Sequence, residues 1–170
     1  MNNDLFDVKG RVAVVTGSGG VLMSALAREL GRRGARVVLA DRSPQRGAAA
    51  VEEIRAAGGE AMTVATDVLN RDSLAAAVTA VTDRFGRIDI LINGAGGNKP
   101  EATAVGERTF FDLPPEALRT VMDLNLMGSV LPSQVFGRTM AAQGEGVILN
   151  ISSMTAFRPL TRIMAYSAAK

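Results

Sequence analysis

Residues 11–34 read RVAVVTGSGGVLMSALARELGRRG, and the change of period inside this stretch decides the fold. Residues 11–16 are a β-branched apolar run without polar alternation, the pattern of a strand covered on both faces. Glycines 17, 19 and 20 interrupt it, and Leu22, Ala25, Leu26 and Leu30 then recur at helical spacing up to Gly34. The expected order is therefore strand, glycine turn, helix. Working outward, the same order repeats: a strand over 36–41, a helix over 44–57 stopped by Gly58-Gly59, and a strand over 60–66. A helix over 70–85 closed by Gly86 and a fourth strand over 88–93 follow. Pro114-Pro115 opens a long helix reaching 142, with Pro132 as the expected kink; a fifth strand spans 146–151, and 166–170 begins another helix. Such alternation with short loops predicts an α/β fold, a doubly wound parallel sheet with helices on both faces. One connection, 94–113, is too long to be a plain loop, and function or mobility is expected of it. Residues 1–170 read as a single domain without repeats or linkers. The chain stops one turn into its last helix, so a fragment of a longer protein, lacking its C-terminal part and with one sheet edge bare, is expected.

Composition narrows the function classes. The chain has 170 residues, 47% hydrophobic and 21% charged, with a formal net charge of +2, as in ordinary globular domains. Its 19 basic residues are scattered among 17 acidic ones, with no run longer than Arg32-Arg33, so no nucleic-acid partner is expected. No segment approaches the ~18 apolar residues of a membrane span. Residues 1–10 lack the apolar run of a signal peptide, and a cytoplasmic location without a membrane partner is the expectation. The absence of Cys and His removes thiolate nucleophiles, imidazole bases, disulfides and the usual zinc sites, so no metal is expected. Proton transfer near neutral pH is left to Asp, Glu, Lys and the single tyrosine, Tyr166.

Thr16-Gly17-Ser18-Gly19-Gly20, running into Val21, lies where the first strand turns into the first helix. Glycines there let the backbone approach a pyrophosphate, and the N–H groups of the helix amino end attract its charge. A tight connection alone has the same composition. Asp41, ending the second strand, can accept both hydroxyls of an adenosine ribose and would repel a 2′-phosphate, which favours NAD over NADP. Arg42 beside it could accommodate that phosphate. The bland reading of Asp41 is a helix cap, for which Ser43 is better placed. Asp67, after the third strand, can accept from an adenine amino group or simply cap a turn. Asn93-Gly94-Ala95-Gly96 puts small residues at the carboxyl edge of the sheet, where open parallel sheets bind ligands.

Tyr166 and Lys170 share one helix face. An ammonium beside a phenol favours the phenolate, which a tyrosine needs in order to trade protons near neutral pH. At this spacing, surface neighbours are the ordinary case, and the company of the pair matters more. Ser152 and Ser153 end the fifth strand at the same sheet edge. Asn125 sits among Val121, Met122, Leu124 and Leu126, so it reads as a buried amide that must find partners.

Asn93-Gly-Ala-Gly96, Asp67-Val68, Asp123-Leu-Asn125, Asn150-Ile-Ser-Ser153, Tyr166-Ser-Ala-Ala-Lys170 and the Thr16-Gly17 turn occur in the order and spacing of one family. Over residues 11–170 the chain resembles the short-chain dehydrogenases/reductases. The resemblance implies a Rossmann-type three-layer sandwich and a nicotinamide cofactor held by Gly17, Ser18, Gly19, Gly20, Val21, Asp41, Arg42, Asp67, Val68, Asn93, Gly94, Ala95 and Gly96, together with Tyr166 and Lys170. It implies that Tyr166 is the acid/base, that Lys170 tunes it and holds the nicotinamide ribose, that Ser153 orients the substrate oxygen, and that Asn125 anchors a water relay to Lys170. Dimers or tetramers pairing through the long helices are also implied. Two departures stand out: Val21 and Met23 occupy the later glycine positions of Thr-Gly-x-x-x-Gly-x-Gly, and Gly94 stands where asparagine is usual. The strings TGSGGVL, LINGAGGNKPEAT and ISSMTAFRPLT resemble the D-mannonate oxidoreductase or fructuronate reductase branch, which implies a sugar-acid substrate. Lys99, Arg108, Arg158 and Arg162 would suit its carboxylate, although each alone reads as a solvated surface charge. The alternatives are reduction of another carbonyl (acyl, steroid or polyol) and a non-catalytic dinucleotide sensor.

Overall fold

β1 (Val12–Thr16) is the centre of a five-stranded sheet with β2 (Arg36–Asp41), β3 (Glu60–Ala65), β4 (Ile90–Asn93) and β5 (Val147–Asn150). The computed structural model describes residues 7–158 and 160–170. All pairings are parallel and the order is β3-β2-β1-β4-β5, with Val14 opposite Val38 on one side and Leu91 on the other. The chain runs outward from β1 to β3, then returns to start β4 beside β1. That reversal opens a crevice at the carboxyl ends of β1 and β4.

Side chains of successive strand residues point to opposite faces, so each helix layer meets its own set. Val12 and Val14 pack with Leu74 and Val81 of α3 (Arg71–Phe85) and Phe136 of α5 (Gly128–Gln143). Val15 packs with Met23 and Ala27 of α1 (Val21–Arg32) and with Val51 and Ile54 of α2 (Ala48–Ala56). The doubly wound architecture is therefore as the alternating pattern predicts. β5 departs from the expectation of strands covered on both faces: it is exposed throughout, Val147 to 61%. Among the described residues nothing pairs with its outer edge.

Two helix expectations need correction. The helix expected over 44–57 is a 3₁₀ turn, Pro44–Gly47, followed by α2, and the Ser43 side chain makes no capping bond. The helix expected over 114–142 is α4 (Pro115–Met122), a π turn (Asp123–Met127) and α5. Its irregularity is that π turn, whereas Pro132 lies buried inside α5. Pro132 supplies no N–H to its own turn, and the helix continues through it. The long connection, expected to be more than a plain loop, has local structure of its own. It carries 3₁₀ turns at Pro100–Ala102 and Phe110–Asp112, and the Ala104 N–H donates to the Arg162 carbonyl at 2.9 Å. That bond ties it to the loop before α6 (Met164–Ala169), which begins two residues ahead of Tyr166.

At the amino ends of the strands, Asp89 is 4% exposed. Its carboxylate accepts the Val12 N–H at 2.8 Å and faces Arg11 and Arg87, which also hold Glu145. Burial pushes the Asp89 carboxyl up, but the Val12 N–H and the Arg87 guanidinium outweigh it and hold it below the ordinary carboxylate range. No described helix is long and apolar enough to cross a membrane. Residues 1–6, part of the stretch read as lacking a leader, lie outside the described residues.

Candidate functional site

The turn after β1 is built by geometry that only glycine meets. Gly17 has φ +66°, and a Cβ there would stand 2.7 Å from the Ala95 Cα. Two strand ends are thereby brought into contact. Thr16 fastens them, its hydroxyl donating to the Ile92 carbonyl and accepting the N–H groups of Gly94 and Ala95 at 3.1 and 3.2 Å. Gly20 caps α1 without any side-chain bond, which leaves the amino end of that helix open toward the crevice. Ser18 is fully buried, and its hydroxyl has no partner.

Asp41 ends β2 facing this turn. One carboxylate oxygen accepts the Gly19 N–H and the other accepts the Ser43 N–H, both at 3.0 Å. Each oxygen keeps a free lone pair for a ribose hydroxyl. Arg42 and Arg46 flank the carboxylate without forming an ion pair among the described residues. Sequence reasoning missed Arg46; the 3₁₀ turn folds it back over Gly19, where a Cβ would meet the Arg46 Cβ at 2.7 Å. Asp67 accepts the Leu69 N–H at 2.9 Å, so it does cap a turn while also lining the crevice.

The crevice is a cleft of about 470 Å³. It brings together Gly17, Gly20, Val21, Asp41, Arg42, Asp67, Val68, Gly94, Ala95, Gly96, Tyr166 and Lys170. Ser18, Gly19, Asn93, Asn125 and Ser153 do not line it. Asn93 is buried beneath, donating to Ser133 and to Asn150 of β5, both at 2.8 Å. Asn125 lines an adjoining groove together with Lys170. Its carboxamide accepts the Gly97 N–H at 3.0 Å and donates to the carbonyls of Gly97 and Val121.

Tyr166 and Lys170 form the far wall. The Lys170 ammonium donates to the Ile151 carbonyl at 2.7 Å and lies 6.0 Å from the centre of the Tyr166 ring. Burial pushes its pKa below the ordinary lysine value. Of the adjacent serines, Ser152 lines the cleft and donates to the Lys170 carbonyl at 3.0 Å. The Ser153 hydroxyl accepts the Thr155 N–H at 3.2 Å and so retains its own proton for donation. Among the described residues no cluster of His, Cys, Asp or Glu could hold a metal ion.

A glycine turn at a helix amino end, a carboxylate closing the second strand and a cleft at the switch point define a dinucleotide-binding domain of the doubly wound class. The chain belongs to the short chain dehydrogenase family, whose model matches residues 11–170. It is 46% identical, over 96% of its length, to the uncharacterized oxidoreductase UxuB of Bacillus subtilis, of which it spans 62%. Among solved structures it is similar to a Haemophilus influenzae protein described as a candidate D-mannonate oxidoreductase with bound NAD: TM-score 0.89, 41% identity, 96% of this chain and 62% of that one. It is also similar to a metagenomic short-chain oxidoreductase in complex with NADP: TM-score 0.85, 37% identity, 96% of this chain and 72% of that one.

Proposed function

We propose that residues 1–170 form a single domain carrying the cofactor site and catalytic residues of an NAD(P)-dependent dehydrogenase that interconverts a carbonyl and a secondary alcohol. The observation that carries this reading is that Tyr166 and Lys170 share one cleft with the glycine turn and Asp41. The cleft suits a dinucleotide. Gly17 and the uncapped amino end of α1 face it, and Asp41 presents lone pairs where a ribose would lie. When bound, the nicotinamide supplies or takes the hydride. In the direction of reduction Tyr166 gives its hydroxyl proton to the carbonyl oxygen as the carbon gains hydride. The Lys170 charge steadies the oxygen that Tyr166 leaves behind. The Ser153 hydroxyl, outside the lining of this cleft but with its own proton free, donates to a substrate oxygen brought to Tyr166, and Asn125 anchors the water that returns a proton through Lys170. Asp41 favours NAD over NADP.

The substrate proposed is a sugar acid of the fructuronate/mannonate kind, supported by the likeness to the Haemophilus influenzae protein. Leu126, Met127 and Val130 are exposed along the π turn and α5, which supports a dimer or tetramer formed through the long helices. Consumption of NADH and NADPH with a panel of keto sugar acids, a steroid ketone and a cyclic ketone tests the reading. Turnover with the sugar acids is expected, and Tyr166→Phe should lower kcat by a factor of about 10²–10⁴ while leaving NADH binding intact. Binding of NADH with no turnover on any carbonyl would overturn it in favour of a sensor.

A further inference from the structure

Met23, at one of the later glycine positions, and Gly94, where asparagine is usual, are in contact at the wall of the cleft. Met23 lies in the first turn of α1 and is 4% exposed, packed with Val15 and Ile92. Gly94 follows β4. A Cβ built on Gly94 would stand 2.0 Å from the Met23 Sδ, 2.5 Å from its Cγ and 2.9 Å from the Thr16 carbonyl oxygen. The thioether already occupies the space that a side chain at 94 would take. Neither neighbour gives way freely: Met23 has core on its other side, and the Gly94 N–H is held by Thr16. Both residues line the cleft. Val21, the other departure, is 92% exposed and displaces nothing.

We propose that Met23 and Gly94 act as one steric unit, a positioning pair that sets how far the amino end of α1 stands from the end of β4. Bulk on the helix is matched by its absence after the strand, so the cleft keeps its width for a pyrophosphate. The role assigned rests on the reading of the cleft as a dinucleotide site. Replacing Gly94 alone overfills the gap, pushes α1 away and spoils the alignment of its amino end with the cofactor.

The test compares Gly94→Ala, Met23→Ala and the double variant in the full chain, reading NADH affinity by fluorescence and Tm by calorimetry. Gly94→Ala should weaken NADH binding about tenfold or more, as overpacking by one methyl does when the backbone must shift. Met23→Ala should lower Tm through the cavity it leaves and change affinity less. The double variant should recover the part of the affinity lost to the Met23 clash, leaving only what the Thr16 carbonyl at 2.9 Å costs, a coupling that a contact serving stability alone would show only in Tm. Should Gly94→Ala not fold, recovery of a folded, NADH-binding double variant is the supporting result. NADH affinity unchanged in Gly94→Ala, or a double variant no better than Gly94→Ala, overturns the proposal. Wild-type protein that binds neither NADH nor NADPH overturns the assigned role together with the dinucleotide reading; recovery of Tm in the double variant then distinguishes that result from failure of the pair.

Discussion

The Thr16 hydroxyl serves three backbone groups at once, two N–H groups after β4 and the Ile92 carbonyl within it. Thr16→Val keeps the shape and removes the bonds, and should lower unfolding free energy by about 1–3 kcal/mol, measured by urea denaturation. Gly17→Ala meets a backbone obstacle and a left-handed φ together, so it should abolish NADH binding in a titration that the wild-type chain passes. Asp41→Asn removes the charge that repels a 2′-phosphate, and the ratio of NADPH to NADH affinity should rise about tenfold. At this scale the sequence is most informative where spacing and company agree: Tyr166 and Lys170 need only a helix to share a face, and the motifs around them single the pair out. It could not show which of Ser152 and Ser153 faces the cleft, because alternation stops with β5. Nor could it show Arg46 over Gly19, which depends on a 3₁₀ turn where a regular helix reads equally well.

Among the elements, the π turn over Asp123–Met127 governs the site. A widened turn leaves the Val121 carbonyl to the Asn125 amide, and the same side chain clamps both polar groups of Gly97. Asn125→Ala would strand the buried Val121 carbonyl and the half-buried polar groups of Gly97, and we expect a loss of about 1–3 kcal/mol in chemical denaturation. Strands and helices were legible because near-continuous apolar runs and 3.6-residue periods are hard to confuse over these lengths. The irregular helix was not. Proline advertises a break in the sequence, whereas a π turn has no residue signature, and Pro132 passes inside α5.

Across the whole molecule, the cleft lies at the carboxyl ends of the strands and the Arg11–Asp89–Arg87–Glu145 cluster at their amino ends. Because Asp89 is held below its ordinary value of 3.8, its charge stabilises the fold at neutral pH, and that contribution disappears as the pH falls through the lowered value. Asp89→Asn should therefore be less stable than wild type at pH 7, with the difference shrinking in acid, as thermal melts across a pH series would read. The sheet's length separates this cluster from Tyr166 and Lys170, the residues proposed to handle protons. Acid tolerance and the proposed turnover accordingly draw on distinct sets of amino acids, and a bioengineer could retune one end of the barrel-less β-layer for a sour medium without touching the other.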